Sequence, residues 1–163
     1  MIGNGMLLRY MANSYTQLYF HAVYSVKYRN KLLDKAWREE VFRYSNKVIS
    51  SMKCKAIAIN GVEDHVHVLV GLHPTVSVSE LIAKVKANSS RLINEKYLGD
   101  SGFEWQEGYS AFTNSQSQIS RVALYIENQE AHHKKKTFRM EYLELLEKYN
   151  VAYDSQYLFE FFD

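Results

Sequence analysis

Alternation of apolar and polar residues marks four stretches as strands, and apolar residues spaced three and four apart mark the segments between and after them as helices. Residues 14–26 are rich in aromatic and β-branched side chains, with Leu18, Phe20, Ala22 and Tyr24 on one face and Tyr19, His21 and Val23 on the other. Asp34 offers an N-cap for a helix to about Met52, whose inward stripe is Trp37, Val41, Tyr44, Val48 and Met52. Residues 54–62 alternate again, with Ala56, Ala58 and Asn60 opposite Ile57, Ile59 and Gly61. A turn at Gly61-Val62-Glu63-Asp64 leads into a third strand ending at Gly71. Ser77 and Glu80 form a capping box for a helix to about Tyr97, with Leu81, Val85, Leu92 and Ile93 inward. A loop over 99–108 holds Trp105, and residues 109–113 suit a fourth strand. A helix capped by Ser115 then runs to His133 on the stripe Ile119, Val122, Ala123 and Ile126. A last helix over 138–149 turns Tyr142, Leu145, Leu146 and Tyr149 inward.

The order strand-helix-strand-strand-helix-strand predicts an α+β fold of the ferredoxin-like, RRM-like kind. Its split βαβ antiparallel sheet carries helices on one face, leaves the other open to a ligand, and is followed by an added C-terminal helix. Pro74 is the only proline and no linker composition interrupts the chain, so residues 14–163 are expected to form one domain. Residues 1–13 carry no clear pattern and are expected to be a disordered or extended lead-in, with Met6 and Met11 as alternative starts. The aromatic and apolar tail over 151–162 must pack on something, a partner subunit being one candidate.

A net charge of +2 argues against a bulk polycation, so any nucleic-acid contact has to come from local patches. Thirteen tyrosines and eight phenylalanines suit either an aromatic core or base stacking, and composition does not separate the two. The single cysteine, Cys54, excludes an internal disulfide and fits a reducing, cytoplasmic setting. No apolar run is long enough to cross a bilayer.

Candidate chemistry sits at two places. In the third strand Val66, Val68 and Val70 make a row for the core, while His65 and His67 share the opposite face and can grip one metal ion between them. On the helix after Ser115, Gln118, Tyr125, Gln129 and His132 flank the buried stripe. Tyr125 and Gln129, four apart, are surface neighbours: a hydroxyl nucleophile beside an amide oxygen able to ligate a metal. His21 can lie next to the histidine pair. Basic residues Lys27, Arg29, Lys84, Lys86 and Arg91 are candidates for sugar-phosphate contacts, and the run from His132 to Lys136 is either a DNA contact or a solvated helix end.

With Asp64-His65-Val66-His67 on a strand and the segment from Tyr125 to Gln129 and His132-His133 on a later helix, the chain resembles the single-tyrosine HUH transposases of small insertion sequences (TnpA-like). The resemblance extends from Ser14 to Phe159 and takes in Lys86-Ala-Asn-Ser-Ser-Arg91 and Tyr153-Asp-Ser-Gln-Tyr157. It implies that His65, His67 and Gln129 hold one divalent ion, Mg²⁺ or Mn²⁺, and that Tyr125 is the nucleophile. It further implies cleavage and rejoining of single-stranded DNA at hairpin-bearing element ends through a 5′-phosphotyrosine. The implied assembly is a homodimer whose active sites are shared between subunits, with no membrane partner. Two alternatives stay open: a domesticated relative acting on genomic palindromes, and a non-catalytic ferredoxin-like nucleic-acid-binding module.

Overall fold

A computed structural model of the chain describes residues 14–30 and 32–162; the lead-in expected over 1–13 lies outside the described residues. Strands β1 (Tyr19–Ser25), β2 (Lys55–Gly61), β3 (His65–Gly71) and β4 (Ser110–Asn114) form one antiparallel sheet in the order β2-β3-β1-β4. That order is the expected ferredoxin-like one, with the two central strands β3 and β1 paired to neighbours on both edges. Register puts Val23 across from His67 and Ser25 across from His65.

One face of the sheet buries the apolar row foreseen for it. Phe20, Ala22, Tyr24, Val66, Val68 and Val70 pack against helices α1 (Arg38–Ser51) and α2 (Val78–Ile93) through Val41, Val48, Ile49, Leu81, Val85 and Ile93. The Ser77 hydroxyl accepts from the Glu80 amide at 3.1 Å, so that cap is made. The cap expected at Asp34 is not, because α1 starts only at Arg38 with Trp37 before it, and Asp34 instead accepts from the Ala36 amide at 2.8 Å in the preceding turn. Leu92 stays only half-buried.

In β2 the simple alternation fails. A bulge between Ala56 and Ala58 adds one residue to the strand, so Ile57 and Ala58 both join the cluster of Leu69, Val122 and Ile126. Ala56 and Ile59 face the main core instead. Gly61 closes the hairpin to β3 where a Cβ would stand 2.2 Å from the His65 carbonyl oxygen, so only glycine fits that approach.

The second face, expected to be open, is covered. Its exposed side would be Val23, Leu69 and Phe112, too apolar to leave wet. Helix α3 (Ile119–Glu127) lies over β2 and β3, and α5 (Phe138–Lys148) brings Phe138, Tyr142, Leu145 and Leu146 onto Val23 and Phe112. The single helix expected from Ser115 to His133 is interrupted at Asn128, where the backbone (φ −94°, ψ 20°) leaves helical geometry. A short helix α4 (Gln129–His133) follows. Asn128 turns its side-chain amide back onto the Leu124 carbonyl at 2.8 Å, the local competition that makes asparagine a poor interior helix residue. Asn60 of β2 donates to the Glu127 carbonyl at 2.8 Å, and Lys35 and the buried Arg38 pair with Glu130, so both sides of the break are tied to the body. The tail packs on its own chain: Phe159 is buried against Phe138 and Tyr142, and Glu160 exchanges two backbone bonds of 2.7 Å with the Gln106 side chain. Among the described residues no helix is long and apolar enough to cross a membrane.

Candidate active site

His65 and His67 leave β3 on the face opposite the valine row, as the period of a strand requires, and both are fully buried beneath α5. Each imidazole has its Nδ1 committed to a neighbour. His65 Nδ1–H donates to Asp64 Oδ1 at 2.6 Å, and His67 Nδ1 is 2.8 Å from Nε2 of His21, on the adjacent strand β1. With Nδ1 so engaged, both Nε2 atoms point into one space, and neither has a hydrogen-bond partner there. His21 therefore sits behind the pair as an orienting ring.

Glu141 closes that space from above. It is 2 % exposed, an extreme burial for a carboxylate, and its oxygens gather most of the polar groups around it. Oε1 accepts the Tyr125 hydroxyl hydrogen, and an amide hydrogen of Gln129 at 3.0 Å. Oε2 accepts from His133 Nε2 at 2.8 Å and stands 3.2 Å from His65 Nε2 and 3.3 Å from His67 Nε2. Burial opposes ionisation of Glu141, but His67, His133 and His65 outweigh it and hold the carboxyl well below the usual carboxylate range. Burial, then the Glu141 charge, push the Tyr125 phenol far above its ordinary value. Burial lowers His67 to about 4 and also lowers His21, whereas Asp64 and Glu141 overcome burial at His65 and raise it.

The donor set fits a divalent cation. Four ligand-type groups, His65, His67, His133 and Glu141, bring atoms within 4.8 Å of one another. Gln129 is fully buried, and its Oε1 is a further acceptor without a hydrogen-bond partner. Three unpartnered buried polar atoms, His65 Nε2, His67 Nε2 and Gln129 Oε1, beside a buried carboxylate are costly as they stand, and one cation would satisfy them together.

Tyr125 borders both the metal-type cluster and solvent. Its ring lies edge-on to His67 (centroids 5.8 Å apart) and His132 (5.3 Å), and a cavity of about 250 Å³ opens beside it, lined in part by Arg121, Glu144 and Lys148.

Of the residues singled out from sequence, His65, His67, Tyr125 and Gln129 converge. Most of the basic candidates do not join them. Lys84, Lys86 and Arg91 stand on α2, across the sheet from the histidines. Lys86 donates to the carbonyls of Gln106 and Gly108, both at 2.7 Å, while Arg91 donates to Asn88 at 2.9 Å. Lys27 is paired with Glu104 at 2.5 Å, and Arg29 is exposed at a pocket shared with Asp64 and His133. Sequence reading missed Glu141. The signal was present: it occupies the apolar stripe of α5 between Phe138 and Tyr142, where a carboxylate needs a reason. Arg121 was missed as well, although it precedes Tyr125 by one helical turn.

The family model described as "Transposase IS200 like" matches residues 14–129. Among curated proteins, the ISDra2 transposase TnpA of Deinococcus radiodurans is 25% identical over 120 residues, 69% of this chain and 84% of that protein. The transposase for insertion sequence element IS200 of Salmonella typhimurium is 26% identical over 116 residues, 68% and 75% of the two chains. Among solved structures, a transposase from Deinococcus radiodurans R1 superposes with a TM-score of 0.57 at 21% identity, over 72% of this chain and 95% of that one. A REP-associated tyrosine transposase bound to a REP hairpin gives 0.56 at 14% identity, over 75% and 72%. Both share the fold described above.

Proposed function

Since the chain belongs to the IS200-like transposase family, we propose that it cleaves and rejoins single-stranded DNA with Tyr125 as nucleophile and a divalent ion at His65, His67 and Gln129. The observation that carries this reading is the meeting of the Tyr125 hydroxyl with the two strand-borne histidines about one buried carboxylate. In the reaction the phenolic oxygen attacks a backbone phosphorus. A tyrosine–phosphorus bond forms, the bond to the 3′-oxygen breaks, and that oxygen leaves as a 3′-hydroxyl after taking a proton. The ester bond energy is kept in the 5′-phosphotyrosine, so a second 3′-hydroxyl reverses the step without an external energy source.

Each part of the chain has a task in that scheme. A phenol with so high a pKa is a poor nucleophile at neutral pH, and Glu141 holds its hydrogen at the edge of the cavity that both residues line. When bound, the ion polarises the scissile phosphate and offsets its negative charge. Asp64 and His21 fix the two imidazoles in the orientation that presents Nε2 to it. Arg121 and Lys148, at the cavity wall, suit a phosphate oxygen. Of the five basic candidates, Lys27, Arg29, Lys84 and Arg91 belong to the proposal as backbone contacts, while Lys86 is engaged by the Gln106 and Gly108 carbonyls. The hairpin held by the REP-associated relative makes hairpin-bearing single strands the substrate to try first.

The test is to incubate the chain with hairpin-bearing single-stranded DNA and Mg²⁺ and look for an SDS-resistant adduct carried on Tyr125. Metal uptake and hairpin binding without any adduct would instead favour a non-catalytic binding module.

A further inference from the structure

The family match ends at Gln129, yet the acidic group that faces His65 and His67 comes from beyond it, on α5. Glu141 is placed there by strong local constraints. Phe138 stacks on the His65 ring at 3.8 Å between centroids, Tyr142 and Leu145 anchor the next turns in the second core, and Thr137 caps the helix at the Met140 amide. That packing holds the α5 backbone so that the carboxylate faces the histidines.

Its distances to the two histidines are informative. Glu141 Oε2 lies 3.2 and 3.3 Å from their Nε2 atoms, and neither contact completes a hydrogen bond. Donor atoms arranged about a divalent ion at roughly 2.1 Å stand about 3.0–3.4 Å apart. Both contacts thus have the spacing of ligands in a shared coordination shell, and the ligand atoms of the whole group lie within 4.8 Å of one another. The other oxygen, Oε1, is turned toward Tyr125 and Gln129.

We propose that Glu141 is a ligand of the divalent ion held by His65 and His67, and that its second oxygen positions the Tyr125 hydroxyl beside that ion. This rests on the metal-dependent reading above. It changes the donor set from wholly neutral to one with an anionic oxygen, which favours hard, oxygen-seeking ions such as Mg²⁺ and Mn²⁺. It also assigns the segment after Gln129 a part in the reaction: α5 is the lid that brings the carboxylate to the ion and the nucleophile together.

The experiment is a Mn²⁺ titration of the full-length, DNA-free chain followed by electron paramagnetic resonance. Glu141→Gln and Glu141→Asp should each weaken Mn²⁺ binding by about tenfold or more, the aspartate because it keeps the charge but loses reach. At saturating Mn²⁺ the aspartate variant should recover part of the adduct rate lost in the glutamine variant, with DNA affinity equal in the two. Mn²⁺ affinity in Glu141→Gln within about twofold of the unaltered chain would overturn the proposal, and so would an unaltered chain that takes up no Mn²⁺. Should neither variant fold, ¹³C-carboxyl glutamate in the unaltered chain decides: Mg²⁺ should move a glutamate resonance, and a spectrum in which none moves overturns the assignment. Glu141-dependent Mn²⁺ uptake without any DNA adduct would sink the transposase chemistry and leave this metal site standing.

Discussion

Tyr125 gives its hydroxyl hydrogen to Glu141, sixteen residues further along, and that bond joins the helix carrying the nucleophile to the helix roofing the histidines. The contact is one of several on the same carboxylate, since Gln129 and His133 also donate to it. Removing the hydroxyl therefore leaves Glu141 with partners. Tyr125→Phe should lower stability by no more than about 1 kcal/mol, the usual net value of a single hydrogen bond, while abolishing the covalent DNA adduct. Thermal melting and denaturing electrophoresis on one preparation check both halves. An adduct that persists in the phenylalanine variant would move the nucleophile elsewhere.

The two histidines on β3 call for a different balance. On sequence grounds they sit on a face free of the core, which would make alanine at either position harmless to the fold. Their complete burial, with His65 stacked on Phe138, makes them core residues as well. His65→Ala or His67→Ala should cost about 2–4 kcal/mol through the cavity left behind, and should abolish Mn²⁺ uptake. Urea denaturation in a chelator separates the packing loss from the metal loss. A variant as stable as the parent would mean that α5 collapses onto the gap.

How far the sequence could be read follows from the range of the signals. Strand alternation and helical spacing are local, so β1, β3, the Ser77 cap and the valine row of the core were legible in the sequence. The bulge in β2 and the break at Asn128 were not, because each depends on one residue's backbone adjusting to a distant partner. The covered second face follows from three apolar side chains, Val23, Leu69 and Phe112, whose shared location emerges only once the strands are paired. The histidines and Tyr125 were found by motif. Glu141 carries no motif, and its place on an apolar stripe was the one clue.

Acid should loosen the metal-free chain. His67 is held at about 4 by burial, below its ordinary 6.5, and His21 is lowered for the same reason. As pH falls, the unfolded chain binds protons at these sites before the folded one does. The stability they contribute is complete above pH about 6.5 and drains away toward about 4. His65 runs the other way, because Asp64 and Glu141 raise it, but one raised group opposes two lowered ones. Urea midpoints in EDTA should thus fall steadily between neutral pH and pH about 4.5. A midpoint that holds level or climbs would show that these imidazoles are protonated in the folded state.

The cations of α2 should separate into two kinds. Lys86 is half-buried with its ammonium on the Gln106 and Gly108 carbonyls, so it fastens the loop before β4 to the helix. Lys84 and Arg91 are exposed. Lys86→Met should lower the melting temperature, having stranded two carbonyls. Lys84→Ala and Arg91→Ala should leave it unchanged and instead reduce the salt dependence of hairpin binding, by about one unit of slope for each phosphate no longer neutralised. Identical salt slopes in parent and variants would take this face out of the DNA interface.

The resemblance to single-tyrosine transposases implies active sites shared between the subunits of a homodimer, whereas here Tyr125 faces histidines of its own chain. Both sides of the break are tied to the body: Asn60 of β2 holds the Glu127 carbonyl at the end of α3, and the buried Arg38, with Lys35, pairs with Glu130 on α4. Exchanging Tyr125 between subunits would require all three ties, together with the Glu141 contact, to be released and remade. A chain built this way should act with its own nucleophile. Mixing Tyr125→Phe subunits with His67→Ala subunits should therefore yield no adduct, at any ratio and whatever the mass in solution by ultracentrifugation. Recovery of cleavage in the mixture would demonstrate exchange, and would mean that the ties at Asn60 and Glu130 open during the reaction.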